Sequence, residues 1–113
     1  MSTYEAVLDA LGDPTRRRII AELRKSGPAS VAQVAATLPV SRPAVSQHLR
    51  VLRDSGLVDY SEDGTRNVYR LNPDGLDALR RWLDDFWGAA VDSFESYVRE
   101  HKQEQKQNRR GSR

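Results

Sequence analysis

Cysteine is missing from all 113 residues, which excludes disulfides and thiolate-bound metal centres together. Histidine is scarce: His48 and His101 are the only two, and none lies within residues 73–100. A histidine cluster for zinc or a related ion is therefore not expected, and no cofactor is called for. No apolar run approaches the roughly 18 residues of a membrane-spanning helix. The opening Met-Ser-Thr-Tyr-Glu has neither a basic region nor an apolar stretch, so no signal peptide is expected and the cytoplasm is the default location. Catalytic equipment is absent too: there is no cysteine nucleophile and no Gly-rich phosphate loop. Asp84 and Asp85 point about 100° apart on a helix and read as solvated acidic surface. An enzyme is not expected.

What is present describes one soluble globular domain, with 38% apolar and 30% charged residues. The net charge of +2 says little, whereas its distribution says more. Residues 73–98 carry 2 basic groups against 6 acidic ones, and residues 99–113 carry 6 against 2. Residues 41–53 hold Arg42, Arg50 and Arg53 with no acid at all. A local basic face binds phosphate even when the total is nearly neutral.

Tyr4, Val7, Leu8 and Leu11 recur at helical spacing and predict a first helix ending near Gly12. Asp13-Pro14 reads as an N-cap with proline at the first helical position, opening a second helix to about Lys25. Ser26-Gly27-Pro28 stops it. Ser30 and Gln33 match a capping box for a third helix through Leu38. Ser41 caps a fourth, which Gly56 ends from a left-handed position. Leu57–Tyr60 and Arg66–Leu71 are strand-like, with Glu62-Asp63-Gly64-Thr65 as a hairpin turn. Asn72-Pro73 starts a long last helix whose apolar residues end at Val98. Residues 1–98 are read as one domain, and residues 99–113 as a polar, basic tail expected to be frayed or disordered.

The stretch Ser41–Leu52 carries the most information. Val45, Leu49 and Leu52 fall on one edge of a helix, with Pro43, Ser46, Gln47 and Arg50 on the other. A short helix, a tight Pro39-Val40-Ser41 break and this second helix make a helix-turn-helix, whose second helix lies in the major groove of DNA. The hairpin behind it is a wing. Ser41, Arg42, Pro43, Ser46, Gln47, His48 and Arg50, together with Arg66 beside the hairpin turn, are the candidate contacts to double-stranded DNA. Arginine suits guanine and glutamine suits adenine. His48 borders the apolar edge and suits packing or a phosphate better than a metal. Arg66 is placed for backbone or minor groove. Taken alone, each of these is equally a solvated polar position.

The last helix is apolar over roughly 180°, wider than the stripe of about 100° by which a surface helix packs. A small winged core covers one edge of such a helix. The remainder, with two tryptophans, calls for a partner surface, and a symmetric homodimer is the simplest supply. Gly88 sits mid-helix, where a kink and a close helix approach are both open.

In order and spacing, Ala10-Leu11-Gly12-Asp13-Pro14-Thr15-Arg16-Arg17-Arg18-Ile19, Ser41–Leu52, Gly56-Leu57-Val58, Gly64-Thr65-Arg66 and Val68-Tyr69-Arg70-Leu71 resemble the ArsR-type (ArsR/SmtB) winged-helix repressors. The resemblance covers about two thirds of the chain. It implies a mainly α fold with a β-hairpin wing, α-α-α-α-β-β-α, and a homodimeric repressor whose fourth helix reads a pseudo-palindromic operator. It also implies an interface of first and last helices. Here the candidates are Tyr4, Val7, Leu8, Leu11, Trp82, Phe86, Trp87, Ala90, Phe94 and Tyr97. The family's metal-sensing Cys-x-Cys positions correspond to Ser30 and Ala32, and its last-helix histidine site has no counterpart. The chain therefore resembles the branch without those sites, and metal control is not expected. A small-molecule effector of unidentified chemistry stays open. So do an activator, a PadR- or MarR-like regulator, and a winged-helix module that docks on other proteins.

Overall fold

The computed structural model describes residues 3–111. Along them run α1 (Tyr4–Leu11), α2 (Pro14–Ser26), β1 (Ala29–Ser30), α3 (Val31–Thr37), α4 (Arg42–Asp54), β2 (Val58–Asp63) and β3 (Arg66–Leu71). A 3-10 turn (Pro73–Leu76) then leads into α5 (Asp77–Gly111). Residues 3–80 form one compact unit, and the rest of α5 forms a second.

Side-chain caps set the first four helices by satisfying N–H groups of the opening turn. Thr3 accepts from the Ala6 N–H at 3.1 Å, and Ser41 from the Ala44 N–H at 3.3 Å. Ser30 and Gln33 form the expected capping box, with reciprocal bonds of 3.2 and 2.9 Å. Asp13 accepts from Thr15 and Arg16 at 2.8 and 3.2 Å. The Arg16 N–H holds the Asp13 carboxyl below the usual carboxylate range, helped by the Thr15 N–H and the charge of Arg16. A lowered folded-state pKa makes this cap stabilising above the ordinary carboxylate pKa and lost as pH falls through the lowered one.

The exit of α4 is equally well defined. Gly56 has φ of 85°, its N–H bonds to the Arg53 carbonyl, and the Leu57 N–H reaches the Leu52 carbonyl. That is the paired bonding of a Schellman motif, with buried Leu52 and Leu57 as its apolar contact.

The sheet has three antiparallel strands in the order β1-β3-β2. The pair Ala29–Ser30 is an addition to the expected α-α-α-α-β-β-α order. Two residues are too few for an alternating pattern, and their pairing to Val68 and Tyr69 is long-range. The hairpin is also tighter than the expected four-residue turn. Asp63 pairs with Arg66, leaving only Gly64-Thr65 as the loop, with positive φ at Gly64 alone. That is the pattern of a II′ turn, whose twist matches the strands.

The core gathers Val7, Ala10, Ile19, Leu23, Val34, Val45, Leu49, Leu52, Leu57, Val58 and Tyr69. Val7 corrects an expectation. Proposed for a dimer interface, it is 0% exposed and packs with Ala10 into its own protomer, so it has no surface to offer a partner. Leu11 and Tyr4 are half-buried, whereas Leu8 remains 44% exposed.

Arg16 and Arg17, in the first turn of α2, close the carbonyl end of α1. Arg16 Nε donates to the Ala10 carbonyl at 2.6 Å and its Nη2 to the Asp9 carbonyl at 3.1 Å. Arg17 Nη1 donates to the Leu11 carbonyl at 2.7 Å. These are carbonyls that the helix itself leaves unpaired. Arg16→Ala should lower the unfolding free energy by about 2 kcal/mol, in the range for hydrogen bonds from a charged donor. Urea titration beside the exposed-control Arg18→Ala checks it. Equal curves for the two variants would contradict the capping role.

At the chain's far end, α5 starts later than Asn72-Pro73 suggests. The Asn72 side chain accepts from the Asp74 N–H at 3.1 Å and opens the 3-10 turn, and the α-helix begins at Asp77. It runs without interruption through Gly88 and continues to Gly111, where a frayed tail is expected from the polarity of the sequence. Glutamate, lysine, glutamine and arginine dominate that stretch and proline is absent, so backbone propensity favours helix even without apolar residues. Residues 112–113 of the expected tail lie outside the described residues.

Candidate nucleic-acid interface

The turn between α3 and α4 holds Pro39-Val40-Ser41 in place through the Ser41 cap. The fully buried edge Val45, Leu49 and Leu52 then fixes how α4 is rotated. Everything opposite that edge is delivered to the surface. Ser41, Arg42, Pro43, Ser46, Gln47 and Arg50 are all exposed. Arg42 and Arg50 have no hydrogen-bond or ion-pair partner among the described residues. Pro43 occupies the first helical turn, where its missing N–H costs nothing.

Two open clefts flank this face. One, of about 370 Å³, lies between α4, the start of α3 and the wing, and includes Arg42, Ser46, Arg66, Asn67 and Tyr69. The other, of about 330 Å³, is lined by Ser46, Gln47, Arg50 and Tyr69. Arg42, Ser46 and Arg66 thus come together in one cleft, and Gln47 and Arg50 in its neighbour. His48 lines neither. It is half-buried and close enough to Asp13 to add, as the smallest contribution, to the lowering of that carboxyl's pKa.

The wing is tied to α4 by aromatic contacts. The Arg53 guanidinium lies over the Tyr60 ring, 4.7 Å from its centroid, and Tyr60 packs on Tyr69 at 5.5 Å. On the opposite face of the hairpin, Arg70 pairs with Asp59 at 3.5 Å and donates to Ser61. Arg66 has only a loose contact with Asp63 across the turn, 3.9 Å, with both side chains mostly exposed. Such a pair contributes little in water and leaves the guanidinium available. Asn67 and Tyr69 are the members of this surface that sequence reasoning missed. Tyr69 pairs with Ala29 on one side and Tyr60 on the other, and it lines both clefts.

Ser30 and Ala32 also border the larger cleft. They bring a hydroxyl and a methyl group to the place where a metal sensor would need thiolates.

Comparison with known proteins agrees with this architecture. Residues 11–61 match a family described as a helix-turn-helix domain. The HTH-type transcriptional regulator Rv2034 of Mycobacterium tuberculosis is 48% identical over 101 residues, covering 87% of this chain and 94% of that one. The transcriptional repressor SdpR of Bacillus subtilis is 31% identical over 80 residues, 71% of this chain and 88% of its own. Among solved structures, an ArsR-like transcriptional regulator from Rhodococcus sp. RHA1 superimposes with a TM-score of 0.68 at 33% identity, covering 86% of this chain and 90% of that one.

Proposed function

The chain belongs to the ArsR-type winged helix-turn-helix transcriptional repressors, and from that membership we propose that it works in the cytoplasm as a homodimer on a pseudo-palindromic operator. The observation that carries the DNA contacts is the uncovered face of α4, running from Arg42 and Ser46 to Gln47 and Arg50 and continuing onto the wing at Arg66. In this reading α4 enters the major groove, Gln47 and Arg50 read base edges, and Ser41, Arg42 and Pro43 orient the helix start. Arg66 contacts backbone. Two such faces bind half-sites about 34–36 Å apart, so occupancy of promoter DNA represses. An effector acts by favouring a dimer geometry that cannot span both half-sites.

Support for a dimer comes from surface that no protomer of this size leaves idle. Phe86, Trp87, Phe94 and Tyr97 on α5 are each more than half exposed, and Leu8 on α1 is partly exposed. Along α5 itself, Trp82 and Ala90 join the four aromatic residues in an apolar face for a second copy.

A footprint on the region upstream of its own gene identifies the operator, and a salt titration then separates the roles. Gln47→Ala should weaken operator binding more than binding to scrambled DNA. Arg66→Ala should weaken both by similar factors and lower the log–log salt slope of the dimer, by up to about 1.8 where Arg66 alone neutralises one phosphate per protomer at ~0.9 each. Equal losses on both duplexes for Gln47→Ala would remove base reading by that residue. Absence of any sequence-selective duplex binding would favour a docking module instead.

A further inference from the structure

Tyr69 is 8% exposed, yet it lines both clefts on the DNA-facing surface. Its ring packs against Tyr60, while its hydroxyl has no hydrogen-bond partner among the described residues. Nor is that oxygen sealed from solvent, since no buried side-chain oxygen among the described residues lacks a partner. A buried tyrosine normally pairs its hydroxyl, and one left open at the floor of a cleft has a donor to give.

The rest of the larger cleft has the same character. Arg42 and Arg66 contribute guanidiniums, Asn67 an amide, and Ser46 a hydroxyl. The Ser30 oxygen already accepts the Gln33 N–H, which leaves its proton to donate. No carboxylate lines the cleft; Asp63 meets Arg66 from the exposed turn. Two guanidiniums, an amide N–H and three hydroxyls with no anionic group among them suit an oxyanion, whose oxygens only accept.

We propose that this cleft seats one phosphate of the DNA backbone, with the Tyr69 hydroxyl donating from the floor and Arg42 and Arg66 closing over it. This deepens the DNA-binding reading above and rests on it. One phosphate held from α4 and from β3 at once fixes the wing relative to the recognition helix, so the contact positions the base-reading side chains. Tyr69 is the neutral member of the clamp, which sets it apart from the arginines experimentally. Removing its hydroxyl takes away a hydrogen bond but releases no counterion.

The test uses the full chain and a mixed-sequence duplex of about 30 base pairs, long enough for two half-sites one helical turn apart. Tyr69→Phe keeps the ring and its packing, so its thermal midpoint should stay near wild type. Its affinity should fall roughly a hundredfold, as expected for losing a hydrogen bond to a charged group in each of two protomers, with an unchanged salt slope. Arg42→Gln should weaken binding and, unlike Tyr69→Phe, lower the slope, but by less than the roughly 1.8 of one phosphate lost from each protomer, because Arg66 still faces the same phosphate. The double variant should lose less than the product of the two factors, because both groups hold the same phosphate. Exposed Asn67→Ala, which leaves the core intact, should show a smaller loss of the same kind, again without a change in slope. Wild-type affinity for Tyr69→Phe, or full multiplicativity in the double variant, would overturn the seat. Exchanging chloride for inorganic phosphate at equal ionic strength should weaken duplex binding by wild type more than by Tyr69→Phe, because the free anion competes for the same seat. Equal effects on the two proteins would overturn the Tyr69 contact. Wild-type protein that binds no duplex at all would remove the DNA reading itself.

Discussion

Gly75→Ala should lower the unfolding free energy by about 3 kcal/mol, the upper end of ordinary overpacking. An ideal Cβ at Gly75 would lie 2.2 Å from the Gly56 carbonyl oxygen and 2.9 Å from both the Gly56 carbonyl carbon and the Leu57 Cα. All three are backbone atoms, so no rotamer change relieves the clash. The opposing segment has little freedom to move. Gly56 sits at positive φ in the cap of α4, and Leu57 is bonded both to Leu52 through its N–H and to the Asn72 N–H through its carbonyl. The 3-10 turn would have to give way, and with it the lead into α5. Gly88→Ala is the contrast, since a Cβ there meets nothing within 4 Å and alanine favours a helix interior. Urea unfolding at one fixed protein concentration compares them, because a dimer's stability depends on concentration. A Gly75→Ala loss below about 1 kcal/mol would mean the close approach relaxes freely.

That close approach illustrates what a sequence conceals. The helices are legible because their causes are local: Asp13-Pro14, the Ser30–Gln33 box, Ser41 and Gly56 all act within a turn or two of their own position. The rotation of α4 is legible as well, since Val45, Leu49 and Leu52 differ so clearly from Ser46, Gln47 and Arg50. The contact of Gly75 with Gly56 is not, because it joins residues that only the fold brings together. The same reason hides the pairing of Ala29–Ser30 with β3 and the reach of Arg16 to the end of α1. Val7 was misread for a related cause. Helical spacing shows that α1 has an apolar side, but not which of its residues the protomer consumes for itself. Tyr69 escapes a sequence reading for the same reason, since only the fold brings it into clefts shared with Arg42, Ser46 and Arg66 and with Gln47 and Arg50.

The second large effect is expected on α5. Phe86→Gln with Phe94→Gln should raise the dimer dissociation constant by about a thousandfold or more, equivalent to roughly 4 kcal/mol. The two rings are 72% and 66% exposed in the protomer, although each carries an apolar surface large enough to dominate an interface. Phe86 is also presented in a fixed orientation, packed on Trp82 with centroids 5.5 Å apart. Two substitutions per protomer remove four rings from a symmetric interface, which is why the effect is so large. Glutamine keeps a good helix propensity, so circular dichroism should report the same helix content and separate lost association from lost folding. Sedimentation across micromolar concentrations reads the oligomeric state. Operator binding should weaken in step and acquire a steeper dependence on protein concentration, because one half-site alone holds few contacts and the dimer must form before both are filled. Wild-type protein sedimenting as a monomer at micromolar concentration would refute the interface. A variant that remains dimeric would place the contact on a face other than the one carrying these two rings.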